Sequence, residues 1–157
     1  MNTPKTWIIT GASRGIGYEL ASLLLNNGHN VIATSRRFKN LEEVFKDPSE
    51  TFLPLEVDIQ SEESIATAVA KAIQYFGQID FLVNNAGYGS LGAIEEIDDA
   101  EVQRQFDSNV FGPLRVIRAV LPHLRVRKSG HIINVTSIGG LTTFPSAGIY
   151  HGSKFAL

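Results

Sequence analysis

Short apolar runs alternate with longer segments of helical periodicity along the whole sequence. The runs are nearly continuous and rich in β-branched and aromatic residues, which is typical of strands that are covered on both faces. They occupy residues 7–10, 31–34, 52–57, 79–83 and 131–135. Because proline cannot donate a ladder hydrogen bond, Pro54 within the third run predicts that this strand lies at an edge of the sheet.

Between the runs, apolar residues recur every three to four positions, as on one face of a helix. The predicted helices begin near Ile16, Leu41, Ser61, Asp98 and Tyr150. The first would bury Ile16, Leu20, Leu23 and Leu24, and the second would be short, covering residues 41–45. Stop signals for the first three are Asn27-Gly28, Asp47-Pro48 and Gly77. We expect the fourth helix to reach Leu121 and to kink or end at Pro122.

Composition restricts the class of protein. The 157 residues fit one domain, and 43% hydrophobic against 19% charged residues excludes a disordered or fibrous chain. The net charge of −2 predicts no nucleic-acid partner and no anionic membrane surface as a partner. The sequence has no cysteine and no histidine with ligand spacing, so we expect no metal site. The first apolar run is too short for a signal peptide or a membrane span, which predicts a cytoplasmic protein.

A glycine-rich segment follows the first predicted strand. Residues 10–17 read Thr-Gly-Ala-Ser-Arg-Gly-Ile-Gly. Glycines at such a turn let the backbone approach a diphosphate, and the following helix N-terminus offers free N–H groups and partial positive charge. The triplet alone is equally compatible with an ordinary tight turn between a strand and a helix.

Further motifs follow in order along the sequence. Asn84-Asn85-Ala86-Gly87 comes after the fourth strand, Ser137 after the fifth, and Tyr150-x-x-x-Lys154 on the last helix. With the glycine turn, this series resembles the short-chain dehydrogenase/reductase family over residues 10–154. The resemblance implies a doubly wound α/β Rossmann fold with strand order 3-2-1-4-5 that lacks the family's C-terminal strands. It also implies a homodimer or homotetramer for the full-length protein.

The resemblance implies a nicotinamide cofactor. Ser35 stands where NAD-selective members carry an acid, and Arg14 and Arg36 are cations that would bind the extra phosphate of NADP(H). Both arginines could instead be solvated surface residues, and Asn84 could simply tie strand ends together. The expected cofactor contacts are Gly11, Ser13, Arg14, Gly15, Ile16, Gly17, Arg36, Asp58, Ile59, Asn85, Ala86, Gly87, Tyr150 and Lys154.

The same resemblance implies four catalytic residues: Asn109, Ser137, Tyr150 and Lys154. Tyr150 and Lys154 share one helix face, where the ammonium would stabilise a phenolate. Ser137 would donate to the substrate oxygen, and Asn109 would hold a water beside Lys154. The implied reaction is hydride transfer between NADP(H) and a small-molecule carbonyl or alcohol, with Tyr150 as acid/base. We interpret His151 as a residue of the helix flank.

Two other functions remain open from the sequence. A catalytically silent NADP(H)-binding redox sensor would need the glycine turn but no proton donor at Tyr150. A sugar-nucleotide epimerase or dehydratase would share the Tyr–Lys pair, but typically has another glycine spacing and a longer chain.

The last residues of the sequence predict that the polypeptide continues. The last predicted helix runs to Leu157 without a stop signal, and the fifth strand would leave a sheet edge and apolar surface uncovered. We therefore expect residues 1–157 to be a single dinucleotide-binding domain of a longer protein, truncated within the helix that carries Tyr150 and Lys154. A complete compact domain is the alternative.

Overall fold

Five parallel strands form one sheet in the computed structural model, which describes residues 3–46 and 49–157. The strands are β1 (Thr6–Ile9), β2 (Asn30–Ser35), β3 (Phe52–Glu56), β4 (Phe81–Asn84) and β5 (His131–Asn134). Their order is β3-β2-β1-β4-β5, which confirms the predicted doubly wound α/β fold. The chain proceeds outward from β1 in both directions, so the crevice above the carboxyl ends of β1 and β4 is where open α/β sheets bind ligands.

Helices connect the strands and cover both faces of the sheet. They are α1 (Gly15–Asn26), α2 (Lys39–Glu42), α3 (Glu62–Phe76), α4 (Asp99–Phe106), α5 (Gly112–Arg127) and α6 (Gly148–Ala156). A π-helical turn, Asp107–Phe111, joins α4 to α5, and a short 3-10 turn, Ile138–Gly140, lies between β5 and α6. Successive strand residues point to opposite faces. Ile8 and Leu82 therefore pack in one cluster with α3 and α5, while Ile9 and Val83 pack in another with α1 and α2.

Two predicted helix boundaries differ from the structure. α5 continues through Pro122 to Arg127, because its buried residues Val116, Val120 and Leu124 lie on both sides of the proline and hold the helix against the core. α2 covers Lys39–Glu42 rather than residues 41–45. The Glu56 carboxylate, which accepts from the Phe38 N–H at 2.8 Å, holds its start. The predicted stop signal Asp47-Pro48 lies outside the described residues.

The apolar face predicted for α1 is only partly confirmed. Leu24 is buried, but Ile16 is 66% and Leu23 59% exposed. The buried face is instead centred on Gly17, Ala21 and Leu24. Small residues at this face bring α1 close to the sheet, which a count of large apolar residues does not detect.

The sheet ends at β3 on one side and at β5 on the other. Of the described strands, β3 pairs only with β2, and Pro54 lies opposite Ala33 in that ladder, so the predicted edge position is confirmed. β5 pairs with β4 and no other described strand, and its residues are exposed or half-buried. None of the described helices combines the length and apolar character that a bilayer crossing needs.

The amino ends of the strands are joined by a buried carboxylate. Asp80 accepts from the Thr6 N–H at 2.9 Å and from the Arg127 guanidinium at 2.9 Å. Burial alone would raise the pKa of Asp80, but these donors outweigh it and hold that pKa below its usual value. The pair fixes β1, β4 and α5 relative to one another at the end of the sheet opposite the candidate site.

Candidate active site

Three segments meet at the carboxyl ends of the central strands. They are the glycine turn after β1, the loop after β4 and the segment between β5 and α6. Gly92 in the second segment donates its N–H to the Ser146 carbonyl in the third at 2.8 Å. The segments therefore form one continuous rim, and every residue predicted for catalysis lies on it or on the helices that follow.

Backbone conformation shapes the glycine turn. Gly11 and Gly15 have φ of 68° and 55°, values that L side chains rarely adopt. A Cβ on Gly17 would lie 2.5 Å from both the Gly11 oxygen and Asn85 Nδ2. Arg14, at the N-cap of α1, makes no side-chain cap hydrogen bond, and the first turn contains no acidic residue. The turn thus presents glycine backbone and uncapped helix N–H groups, which fit the diphosphate of a dinucleotide.

Polar side chains of the loop after β4 hold this turn in place. Asn85 Nδ2 donates to the carbonyls of Thr10 and Gly11 at 2.9 and 3.0 Å. Thr10 Oγ1 accepts from the N–H groups of Asn85 and Ala86, both at 3.0 Å. Asn85 and Ala86 therefore lie beside the turn as expected, with the Asn85 amide used inside the protein. Thr10 was not predicted to hold the turn, although a threonine that ends a buried strand next to glycine is a recognisable signal.

Asn84 has the structural role that its position suggested as one alternative. Its Nδ2 donates to Asn134 Oδ1 at 2.9 Å, across the carboxyl ends of β4 and β5. Its own Oδ1 is buried and has no partner among the described residues. Asn84 therefore ties the strand ends that carry the two halves of the rim.

The end of β2 approaches the glycine turn without an acidic side chain. Ser35 is buried, and its hydroxyl lies 3.4 Å from that of Ser13. Arg14 and Arg36 are exposed, and neither forms an ion pair within the described residues. Both guanidinium groups are thus available to an anionic ligand near Ser13 and Ser35.

Asp58 lies at the surface, whereas the side chain of the neighbouring Ile59 lies in the core. Asp58 is exposed, and its carboxylate accepts from the Gln60 N–H at 2.9 Å. The Ile59 side chain is buried against α5, where a Cβ on Gly112 would lie 2.7 Å from its Cδ1. Ile59 can therefore meet a cofactor through its backbone, while its side chain belongs to the core.

Tyr150 and Lys154 lie on α6, facing the rim. A Cβ on Gly89 would lie 3.0 Å from Tyr150 Cδ2, and one on Gly139 would lie 3.1 Å from Tyr150 Cε1. The Tyr150 ring is therefore held between the backbones of two glycines from different segments. Ser137 contacts the same Gly139, because its Oγ accepts from the Gly139 N–H at 3.1 Å. Gly139 thus links the two proposed oxygen-binding residues.

Lys154 is almost completely buried, with 8% of its surface exposed. Its ammonium donates to the Val135 carbonyl at 3.0 Å and forms no ion pair among the described residues. Burial lowers the pKa of Lys154, because the charged form loses hydration. An ammonium carries three donors, so two are left after the bond to Val135.

Asn109 lies on the π-helical turn and is fully buried. Its Oδ1 accepts from the Tyr88 N–H at 3.0 Å, and its Nδ2 donates to the Tyr88 carbonyl at 2.8 Å and to Ser153 Oγ at 2.9 Å. A Cβ on Gly87 would lie 3.0 Å from Asn109 Oδ1 and 3.7 Å from Lys154 Nζ. The structure therefore brings Asn109 beside Lys154, with its amide bonded to the loop after β4 and to α6.

Two buried residues of this region were not predicted as part of it. Gln105 on α4 is completely buried and accepts from the Ser90 N–H, which fixes the loop beside Gly89. His151 is 3% exposed and lies against the segment between β5 and α6, so the interpretation as a flank residue is wrong. Neither residue belongs to a recognisable local motif, because their partners lie in other segments.

A second phenol on the rim has an unsuitable environment for proton exchange. Tyr88 lies in the loop after β4. Burial raises its pKa, and the neighbouring Glu101 carboxylate adds to that effect. Both influences disfavour a phenolate, so among the rim tyrosines Tyr150, with Lys154 on the same helix, is the better candidate for acid/base chemistry.

Comparisons with known proteins agree with this geometry. The short chain dehydrogenase family model matches residues 5–157. The chain belongs to this family. Oxidoreductase BOA17 of Botryotinia fuckeliana is 41% identical over 154 residues, which cover 98% of this chain and 56% of the relative. The chain spans about half the length of the curated relatives it matches.

Solved structures of short chain dehydrogenases superimpose closely on this chain. One from Streptomyces avermitilis has a TM-score of 0.92 at 36% identity, covering 98% of this chain and 57% of that protein. ElxO, solved with NADP bound, has a TM-score of 0.90 at 31% identity, and the match covers 98% of this chain and 64% of ElxO. Within the described residues, no group of three or more His, Cys, Asp or Glu side chains is placed to hold a metal ion.

Proposed function

We propose that this protein is an oxidoreductase that transfers a hydride between NADP(H) and a carbonyl or alcohol substrate, with Tyr150 as acid/base. The observation that carries the proposal is the contact of Tyr150 and Ser137 with the same residue, Gly139, on a rim where Lys154 is buried and has no ion partner among the described residues. Residues 1–157 would form the dinucleotide-binding part of the enzyme, and the whole enzyme would be a homodimer or homotetramer.

The residues around the glycine turn support NADP(H) as the cofactor. The turn and the uncapped start of α1 suit its diphosphate, and the related ElxO has NADP bound. Arg14 and Arg36 would bind the 2′-phosphate, since β2 itself ends in Ser35 rather than in an acid. When bound, the cofactor supplies or accepts the hydride. The two free donors of Lys154 would meet its ribose hydroxyls.

The protein's own part in the reaction is the movement of a proton. In the reducing direction, Ser137 and Tyr150 would both donate to the substrate oxygen and polarise the carbonyl. As the carbon accepts hydride, the oxygen would take the Tyr150 proton, which leaves a phenolate. The Lys154 ammonium would stabilise this phenolate until solvent returns the proton. The oxidation of an alcohol runs through the same groups in reverse.

The two segments of the rim next to Tyr150 favour an uncharged substrate. Residues 85–94 and 136–149 contain no Asp, Glu, Lys or Arg, and they expose the large apolar side chains of Leu91, Leu141 and Phe144. A carboxylate or phosphate brought there would lose hydration without a countercharge. We therefore propose a neutral, largely apolar carbonyl or alcohol as the substrate class.

Replacing Tyr150 by Phe in the complete enzyme tests the proposal. Loss of the proton donor should lower kcat by about 10²-fold or more, while the Kd for NADPH changes little because the ring remains between its glycines. Tyr75→Phe, at an exposed site on α3, is the matched control. Turnover by Tyr150→Phe at the wild-type rate would contradict the proposal. NADPH binding by the wild type without turnover of any neutral carbonyl would instead favour a redox sensor.

A further inference from the structure

Backbone groups of the segment between β5 and α6 contact both nitrogens of the buried His151 ring. Nδ1 lies 2.8 Å from the Gly139 carbonyl oxygen, and Nε2 lies 3.0 Å from the Phe144 nitrogen and 3.2 Å from the Phe144 carbonyl oxygen. A backbone N–H can only donate and a carbonyl can only accept. With the proton on Nδ1, the ring makes the two shorter contacts: Nδ1 donates to the Gly139 carbonyl and Nε2 accepts from the Phe144 N–H. With the proton on Nε2, only the longer contact to the Phe144 oxygen is made, and the Nδ1 lone pair faces the Gly139 oxygen. The two shorter contacts select the neutral Nδ1–H tautomer.

Gly139 connects His151 to the proposed reacting groups. The Gly139 N–H donates to Ser137 Oγ, and its Cα faces the Tyr150 ring, where a Cβ would lie 3.1 Å from Cε1. The carbonyl of the same residue is held by His151. A shift of Gly139 would therefore move the Ser137 hydroxyl relative to the Tyr150 phenol, and reaction rates depend steeply on such geometry.

Phe144 is the second point at which His151 holds this segment. Its ring packs edge-on against the imidazole, with centroids 4.3 Å apart and an interplanar angle of 81°. Two residues on, the Ser146 carbonyl accepts from Gly92 in the loop after β4. The contact thus sets both the partly exposed Phe144 side chain and the junction between the two halves of the rim.

We propose that His151, as the neutral Nδ1–H tautomer, is a positioning residue for the reaction proposed above, on which this inference rests. Its Nδ1–H bond to Gly139 sets the geometry of Ser137 and Tyr150, and its Nε2 bond to Phe144 sets the wall that contacts substrate. His151 takes no part in proton transfer, because both ring nitrogens are bonded to backbone groups.

Three substitutions in the complete enzyme separate the two bonds. His151→Asn keeps a donor near the position of Nδ1, and His151→Gln keeps an acceptor near that of Nε2. His151→Phe keeps the ring and removes both bonds. We expect His151→Gln to lower kcat about tenfold with a smaller change in KM, since it loses the Gly139 bond. We expect His151→Asn to raise KM by a similar factor and to retain most of kcat, and His151→Phe to show both defects.

The controls keep this inference separate from the proposed function. NADPH affinity should stay near the wild-type value in all three variants, and His29→Asn, at a half-buried histidine near β1, should leave kcat and KM unchanged. The positioning role would be overturned if His151→Asn and His151→Gln changed kcat and KM by the same factors. It would also be overturned if both variants had the kcat and KM of the wild type. If Tyr150→Phe is inactive in the same assays, the proposed function survives that result.

A measurement on the unmodified enzyme tests the tautomer without any variant. The ¹⁵N chemical shifts of the His151 ring should show a protonated Nδ1 and an unprotonated Nε2 at neutral pH. A ring with its proton on Nε2 cannot accept from the Phe144 N–H, and that result would overturn the proposal even if every variant failed to fold.

Discussion

The glycine turn and the Tyr150 region lie at the same edge of the sheet, but different structural features hold each of them in shape. The turn requires residues without a Cβ atom: backbone conformation excludes a Cβ at Gly11 and Gly15, and lack of space excludes one at Gly17. The Tyr150 region instead depends on polar side chains. Buried amide and imidazole side chains there bond the backbone of one segment to the helix of another. A cradle for an anion needs exposed backbone, whereas a proton donor needs a side chain held from several directions.

The first way to test this contrast is to add one methyl group to the turn. In Gly17→Ala, the new Cβ would lie 2.5 Å from the Gly11 oxygen and from Asn85 Nδ2, so the turn must open. We expect a loss of about 1–3 kcal/mol in the free energy of unfolding and a fall of about 10²-fold in NADPH affinity, measured by denaturation and by calorimetric titration.

Gly148→Ala is the matched control for that substitution. No heavy atom lies within 4 Å of a Cβ at Gly148, and its φ is not positive. We expect stability and NADPH affinity close to those of the wild type. If Gly17→Ala behaved in the same way, the close packing of the turn against Asn85 would not be required.

The second test removes a bridging side chain from the Tyr150 region. Asn109→Ala would leave the Tyr88 N–H and carbonyl without buried partners, at a cost of about 1–3 kcal/mol. The loop that carries Gly87 and Gly89 would then loosen beside Lys154 and Tyr150. We expect kcat to fall about tenfold in steady-state assays, while NADPH affinity falls less.

An exposed amide on the neighbouring helix supplies the control for Asn109. Among the described residues, the exposed Gln103 on α4 donates only to the Asp107 carboxylate, so Gln103→Ala should change neither kcat nor stability appreciably. A fall in NADPH affinity by Asn109→Ala larger than its fall in kcat would show that the two regions are not separable in this way.

The contrast also explains which features the sequence predicts. Local patterns identify the strands, the glycine turn and the shared face of Tyr150 and Lys154, because each depends on neighbours within a few residues. Pro54 correctly indicates an edge strand for the same reason: the missing N–H is a property of the residue itself.

Features that depend on distant partners are not predicted. His151 contacts Gly139 and Phe144, which are 12 and 7 residues away, only after the segment between β5 and α6 folds back onto the helix. Asn109 and Ser153 are 44 residues apart. The continuation of α5 through Pro122 likewise depends on burial against other elements, which outweighs the local cost of the proline.

The last test changes the cofactor preference of the turn and leaves its shape intact. Ser35→Asp would place a carboxylate near Ser13, whose hydroxyl lies 3.4 Å from that of Ser35, beside the site proposed for the 2′-phosphate. Two anions near a protein surface repel by about one to a few kcal/mol. We therefore expect the ratio of kcat/KM for NADPH to that for NADH to fall about tenfold, with kcat for NADH retained.

Ser61→Asp adds the same charge at the N-cap of α3, where aspartate is equally suitable, and should leave the ratio unchanged. An unchanged ratio in Ser35→Asp would mean that the phosphate is not bound at the end of β2. The roles of Arg14 and Arg36 would then fail, while the proposed chemistry at Tyr150, which is held by other residues, would not be affected.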